Sequence, residues 1–167
     1  MSINPSSQEI FKAIEKQVTS AKFDIVSRDE TRPWGGFFVI DENQASAFVE
    51  KYFEGITMNS LKIAGKLSPK ILMVAPHCRL SWQYHHRRAE IWKVIQGTVG
   101  VIRSQTDIEG ILESHKPQEL ITLKQGERHR LVGLEEWGVI AEIWQHTDAN
   151  YPSDENDIVR VQDDFGR

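Results

Sequence analysis

The chain has 167 residues, the size of one domain, and 40% of them are apolar, enough for a core without disulfide support. A single cysteine, Cys78, excludes an internal disulfide framework and fits a reducing compartment. The formal charge of −4 comes with no basic stripe, no stretch approaches the roughly 20 apolar residues that span a bilayer, and the first ten residues lack the start of a signal peptide, so the reading is a cytoplasmic protein with neither nucleic acid nor membrane as partner.

Two helices are expected in the first third. Ser6-Ser7-Gln8-Glu9 reads as a capping box, and Ile10, Ile14 and Val18 then recur on one helical face. A second helix starts at Asp41, buries Ala45, Phe48, Val49 and Tyr52, and ends at Gly55. Between them Arg32-Pro33-Trp34-Gly35-Gly36 makes a turn into a short apolar strand at residues 37–40. From Lys70 onward the texture changes. Short apolar runs at residues 70–75, 91–95, 99–103, 119–123, 129–132 and 139–144, punctuated by glycine, read as a β-sandwich or barrel. The expected organisation is one domain over residues 1–167: a mostly helical extension (1–60) packed on a barrel (70–146), then an acidic, polar tail (147–167) anchored by Ile158, Val159, Val161 and Phe165. Within that tail, Asp154 and Asp157 are expected to be solvated. Trp34, Trp82, Trp92, Trp137 and Trp144 are expected in the core or lining a cavity.

The most informative stretch is Ser81-Trp82-Gln83-Tyr84-His85-His86-Arg87-Arg88-Ala89-Glu90. Alternate side chains of a strand share a face, so Gln83 and His85 point together and His86 points away. Glu90 opens the next strand after a bend and can return to that face, with Gly97 closing the strand seven residues later. Gly126 allows a turn that swings His129 inward.

This pattern resembles the cupin superfamily, whose first motif is His-x-His, then Glu, then Gly, and whose second is Pro-x-Gly-x-x-His. Gln83 stands in the first His place, and Lys124 where Pro is usual. With Gln in that place, the stretch from Leu80 to Trp92 is similar to the signature of type II phosphomannose isomerases, domains that also occur fused behind mannose-1-phosphate guanylyltransferases. Arg32-Pro33-Trp34-Gly35, Asp157-Ile158-Val159-Arg160 and Asp164-Phe165-Gly166-Arg167 agree with it. The resemblance implies a mainly β fold, a cupin (double-stranded β-helix, or jelly-roll) barrel with N-terminal helices, and a homodimer. It also implies one divalent metal ion on Gln83, His85, Glu90 and His129. The chain departs from the family at Arg87, where a third His is usual, at Gly133, where Asn is usual, and at Trp144, where Gln is usual. The first thirty residues and the helix before Gly55 read as additions.

Two imidazoles, one carboxylate and one amide oxygen suit a borderline divalent ion, zinc first, with manganese, iron, cobalt or nickel as other occupants. One anionic ligand leaves such an ion positive, a Lewis acid for sugar oxygens. The function expected is therefore a metal-dependent aldose–ketose isomerase of the mannose 6-phosphate/fructose 6-phosphate type, working through an enediolate. Glu142 and Arg130 are the catalytic candidates, and Lys70, Arg88 and Arg160 the candidates for holding the sugar phosphate. Two other readings compete: a non-catalytic sugar or sugar-phosphate binding cupin, and a cupin dioxygenase. The glutamine ligand and the tail favour the isomerase over the last.

Overall fold

The computed structural model describes residues 3–57 and 66–167. Helix α1 (Ser7–Ser20) starts as its capping box predicts: the Ser6 hydroxyl accepts the Glu9 N–H and donates to the Glu9 carboxylate. The chain then forms a hairpin, β1 (Ile25–Arg32) and β2 (Gly35–Ile40), and a 3-10 turn (Glu42–Gln44) capped by Asp41 leads into α2 (Ala45–Tyr52). The remaining strands are β3 (Lys70–Val74), β4 (Trp82–Tyr84), β5 (Arg88–Gln96), β6 (Val99–Ser104), β7 (Leu112–His115), β8 (Leu120–Leu123), β9 (Arg128–Gly133), β10 (Gly138–His146) and β11 (Val159–Gln162). Among the described residues no helix is long and apolar enough to cross a membrane.

The strands form two antiparallel sheets, one in the order β1-β2-β3-β10-β5-β8 and the other β11-β4-β9-β6-β7. Their inner faces enclose Leu72, Val74, Trp92, Val94, Val99, Val101, Ile121, Leu123, Leu131 and Ile140. The first sheet is buried on its outer face too. Ile10, Phe11, Ile14 and Val18 of α1 and Phe48 and Val49 of α2 pack there against Phe38, Ile71, Met73, Val139, Ala141 and Ile143. This explains the unbroken apolar runs of β3 and β10. A strand with one face towards water would alternate, whereas one covered on both sides is apolar throughout. Each such side chain contributes about 1.5–3 kcal/mol when fully buried.

Two expectations need correction. The 1–60 extension is more than helices on a barrel, because the β1-β2 hairpin joins the first sheet through β2, which pairs with β3 from Gly35↔Val74 to Val39↔Lys70. Strand β1 escaped the sequence reading because residues 25–32 are mostly polar or charged; it is an edge strand with polar side chains turned out. The 147–167 tail is likewise part of the second sheet, since β11 pairs with β4. Of its expected apolar anchors Ile158 and Val159 are half-buried, and polar contacts supply the rest. Asp164 receives the Arg79 guanidinium, and Gln162 accepts from Arg130, while Val161 and Phe165 are exposed.

The β5-β6 turn depends on Gly97, at φ 72°, where an added Cβ would lie 2.3 Å from the Trp137 carbonyl oxygen. Gly97→Ala therefore meets both a left-handed backbone and a backbone collision. A loss of about 1–3 kcal/mol in denaturant unfolding is expected, larger than for Gly55→Ala, which shares the left-handed backbone (φ 89°) but whose Cβ would meet nothing within 4 Å.

Candidate metal centre and its cavity

Register brings the site together. Gln83 on β4 lies opposite His129 on β9, and Glu90 on β5 lies opposite Trp144 on β10. One further rung, Lys70–Glu142–Trp92, crosses β3, β10 and β5. β4 ends at Tyr84, and His85 follows it in the bend before β5. His86 is exposed and packs edge-on against Tyr84, pointing away as expected.

His85, Glu90 and His129 are buried, and their ligand atoms lie within 4.8 Å of one another. Both imidazoles are held by the nitrogen that faces away from this cluster. His85 Nδ1 donates to the Asp157 carbonyl (2.7 Å) and His129 Nδ1 to the Glu127 carbonyl (2.9 Å). Each ring therefore keeps its proton on Nδ1 and presents the Nε2 lone pair to the cluster. His85 Nε2 is 3.0 Å from Glu90 Oε2, and His129 Nε2 is buried with no hydrogen-bond partner among the described residues. Buried acceptors that converge in this way call for a positive charge between them, so the residues fit a divalent ion. Gln83 sits beside them, its Nε2 3.4 Å from His85 Nε2, while its Oε1 accepts the Ser81 hydroxyl (2.6 Å). A half-turn of the carboxamide would present the oxygen to the cluster and leave the NH2 to donate to Ser81.

The surrounding charges are strongly coupled. Burial opposes ionisation of Glu90, but His85, Arg88 and His129 hold its carboxyl well below the usual range. Burial pushes His129 down to about 4, against the pull of Glu90. Glu142 moves the other way: burial, then repulsion from Glu90 and a hydrogen bond with it, push its carboxyl well above the usual range, with Lys70 and Arg88 opposing. Its oxygens accept the indole N–H of Trp92 (2.9 Å) and of Trp144 (3.0 Å), and the Trp92 N–H is shared with Glu90 Oε1 (3.0 Å).

The cluster opens into a cavity of about 90 Å³, whose lining includes Lys70, Gln83, Arg88, Arg130, Glu142 and Arg160. All the expected site residues except His85 thus line one space, and His85 borders it through Glu90. Arg88 is committed to the cluster. Its Nε donates to Glu90 (3.1 Å), Nη2 to His85 Nε2 (3.3 Å), and Nη1 to Ser153 Oγ and the Asp154 carbonyl. Arg130 is fully buried, with donors on the Leu80 carbonyl, Glu109 and Gln162. Lys70 pairs with Glu155 and lies over the rings of Phe37 and Trp144. Arg160 makes no hydrogen bond or ion pair among the described residues; burial and the nearby Arg167 and Arg32 lower its pKa. Sequence reasoning missed Arg32 and Arg167 at this cavity and the whole role of Asp157. That residue is 3% exposed rather than solvated, and it accepts from the backbone N–H groups of His86 and Arg87. Burial opposes its ionisation, but Ser153 and those N–H groups hold its carboxyl below the usual range.

Residues 49–163 match the family model "Mannose-6-phosphate isomerase C-terminal". The chain belongs to this family. It is 30% identical over 162 residues to the Xanthan biosynthesis protein XanB of Xanthomonas campestris, covering 96% of this chain and 28% of that protein. It is 29% identical, with the same coverages, to a mannose-1-phosphate guanylyltransferase of Salmonella montevideo. The alginate biosynthesis protein AlgA of Pseudomonas aeruginosa is 32% identical over 109 residues, 65% of this chain and 21% of that one. The chain thus spans less than a third of the curated relatives it matches. Because the XanB match covers 96% of the chain, the first third is not wholly an addition. Among solved structures, the capsular polysaccharide assembling protein CapF from Staphylococcus aureus gives a TM-score of 0.55 at 12% identity, over 81% of this chain and 34% of that chain. Lactobacillus farciminis oxalate decarboxylase gives 0.55 at 13%, over 82% and 34%. Likeness at such identities concerns the fold, and the fold is the cupin barrel.

Two further residues of this mannose-6-phosphate isomerase C-terminal domain make ring contacts beside the site. Trp144 lies against two cations, Arg88 at 3.6 Å and Lys70 at 4.6 Å from its ring. Arg87 stacks on Tyr151 at 3.9 Å and approaches Asp154 and Asp157.

Metal analysis of the purified protein is expected to give about one divalent ion per chain. His129→Ala should lose it and His86→Ala should keep it, because only the first removes a converging lone pair. Equal metal content in both variants would contradict the assignment.

A pH dependence follows from the buried imidazoles. His129 and His146 are both held at about 4 by burial, so the folded chain refuses protons that the unfolded chain takes up near 6.5. Stability of the metal-free protein is therefore complete above about pH 6.5 on their account. It is lost as pH falls towards 4, by up to ~1.4 kcal/mol per pH unit for each group, with Glu142 acting in the opposite sense. His146 is no ligand; it accepts the Ser153 N–H at Nδ1 and meets Ser68 Oγ at Nε2. Urea unfolding of His146→Asn across this window should show a shallower loss than the wild type.

Proposed function

We propose that this chain is a metal-dependent sugar-phosphate isomerase domain, with mannose 6-phosphate and fructose 6-phosphate as the first pair to test and zinc as the first ion. The observation that carries the reading is what meets at one cavity: three converging metal-binding side chains at its edge, a buried carboxyl held above its usual range, and an arginine side chain with no partner among the described residues. Membership of the mannose-6-phosphate isomerase C-terminal family supports the substrate class. An ion on His85, Glu90, His129 and Gln83 would supply Lewis acidity towards the sugar oxygens.

The protein's own groups divide the remaining tasks. Glu142 is the candidate for moving the proton between the two carbons beside the carbonyl. A carboxyl raised above its usual range by burial and by Glu90 holds a proton more readily than an ordinary carboxylate, and two indole N–H groups fix its direction. Arg160, with Arg167 and Arg32 nearby, is the candidate for the phosphate end. Lys70 can join it once Glu155 is displaced. Arg130, tied to Leu80, Glu109 and Gln162, serves as a fixed positive charge in the wall rather than as a proton carrier. A cavity of about 90 Å³ is smaller than the ~300–1,000 Å³ of most ligand sites, so a hexose phosphate enters only when a wall moves. Glu155, whose side chain is 64% exposed and, among the described residues, tied only to Lys70, is the wall group to move.

The test uses metal-loaded protein with mannose 6-phosphate, then other hexose and heptose phosphates, in deuterated water. Aldose–ketose conversion with deuterium entering beside the carbonyl is expected. His85→Ala should abolish it, Glu142→Gln should lower kcat by about 10²–10⁴-fold, and Arg160→Met should act mainly on KM. No turnover across the panel, with tight binding of one member, would replace this proposal by a sugar-phosphate binding cupin.

A further inference from the structure

The segment from Ser153 to Asp157 lies far from the metal-binding motif in sequence, yet it grips the bend that carries His85. Asp157 Oδ1 accepts the His86 N–H (2.9 Å), and Oδ2 accepts the Arg87 N–H (2.9 Å) and the Ser153 hydroxyl (2.6 Å). Its own carbonyl accepts His85 Nδ1–H at 2.7 Å. The bend between β4 and β5 has left the sheet, so the N–H groups of residues 86 and 87 have no ladder partner there, and one buried carboxylate satisfies both. The same residue thus fixes the backbone on which His85 is carried and the face of the imidazole that turns away from the cluster. Ser153 and the Asp154 carbonyl add a second hold through Arg88, which reaches His85 and Glu90.

We infer that Asp157 is a positioning residue for the metal centre: by clamping residues 85–87 it keeps the His85 Nε2 lone pair aimed at Glu90 and His129, so that ion affinity depends on the docked tail. The inference rests on reading His85, Glu90 and His129 as metal ligands. It does not rest on isomerase activity. Outer partners of metal-binding histidines commonly govern affinity by orienting the ring and fixing its tautomer, with losses of about 10–100-fold when they are removed. Here the carbonyl supplies the tautomer and the side chain supplies the orientation, and both come from one residue.

The experiment titrates zinc into the full chain against a competing chelator and records long-range nitrogen–proton NMR spectra of the histidines without metal. Asp157→Ala is expected to weaken zinc binding about 10–100-fold. Asp157→Asn, which keeps one acceptor oxygen, should lose less. In the wild type His85 should appear as the Nδ1–H tautomer, and in both variants the Nε2–H form should gain population. If Asp157→Ala does not fold, Asp157→Asn and Ser153→Ala carry the test through the same two readouts. Folded variants with wild-type zinc affinity and an unchanged His85 tautomer, even at a lower melting temperature, would overturn the inference by leaving Asp157 a purely structural role. A wild type that binds no zinc or other divalent ion would instead remove the metal reading on which it stands.

Discussion

The constraint on which the rest of this structure depends is the convergence of uncompensated acceptors in a buried place. His85 Nε2 and Glu90 Oε2 face each other at 3.0 Å, and His129 Nε2 is buried beside them without a hydrogen-bond partner among the described residues. Such an arrangement is costly in an apolar interior unless positive charge is drawn into it. The surroundings answer that demand: Arg88 is bound to Glu90 and His85, and the proton of each imidazole is held away from the cluster by a backbone carbonyl.

The fold can bear this polar interior because its apolar burial is split in two. Helices α1 and α2 turn the outer face of the first sheet into a core of its own, so β3 and β10 are anchored from outside. Along β10, Val139, Ala141 and Ile143 serve that outer core, while Ile140, Glu142 and Trp144 alternate with them towards the interior. Strand β3 does the same, with Ile71 and Met73 outside and Lys70 and Leu72 inside. A barrel relying on its interior alone would have less room for two buried carboxylates and several cations.

The tryptophans link these layers to the site. Trp92 and Trp144 contribute large apolar surfaces and also the two N–H groups that hold Glu142. Trp144 places a ring against both Lys70 and Arg88. The charged groups of this wall are thus held through ring contacts as well as ion pairs.

Much of this was legible in the sequence. Apolar runs mark β3, β6, β8, β9 and β10 within two residues and β5 within three, because side chains that face a core are written in apolar residues. The spacing of Gln83, His85 and Glu90, and the turn before His129, marks the residues that meet, because local backbone geometry already puts them near one face. The sequence does not reveal strands β1 and β11, whose outward residues are polar, nor the burial of Asp157. An acidic tail residue looks solvated until the fold places two unpaired backbone N–H groups and a serine hydroxyl around it. Which charges are spent within the protein and which stay free was likewise a tertiary decision. Arg130 and Arg160 are alike in the sequence, but one ends with its donors on Leu80, Glu109 and Gln162, and the other faces the cavity with none taken, because strand pairing across the barrel determines which acceptors each can reach.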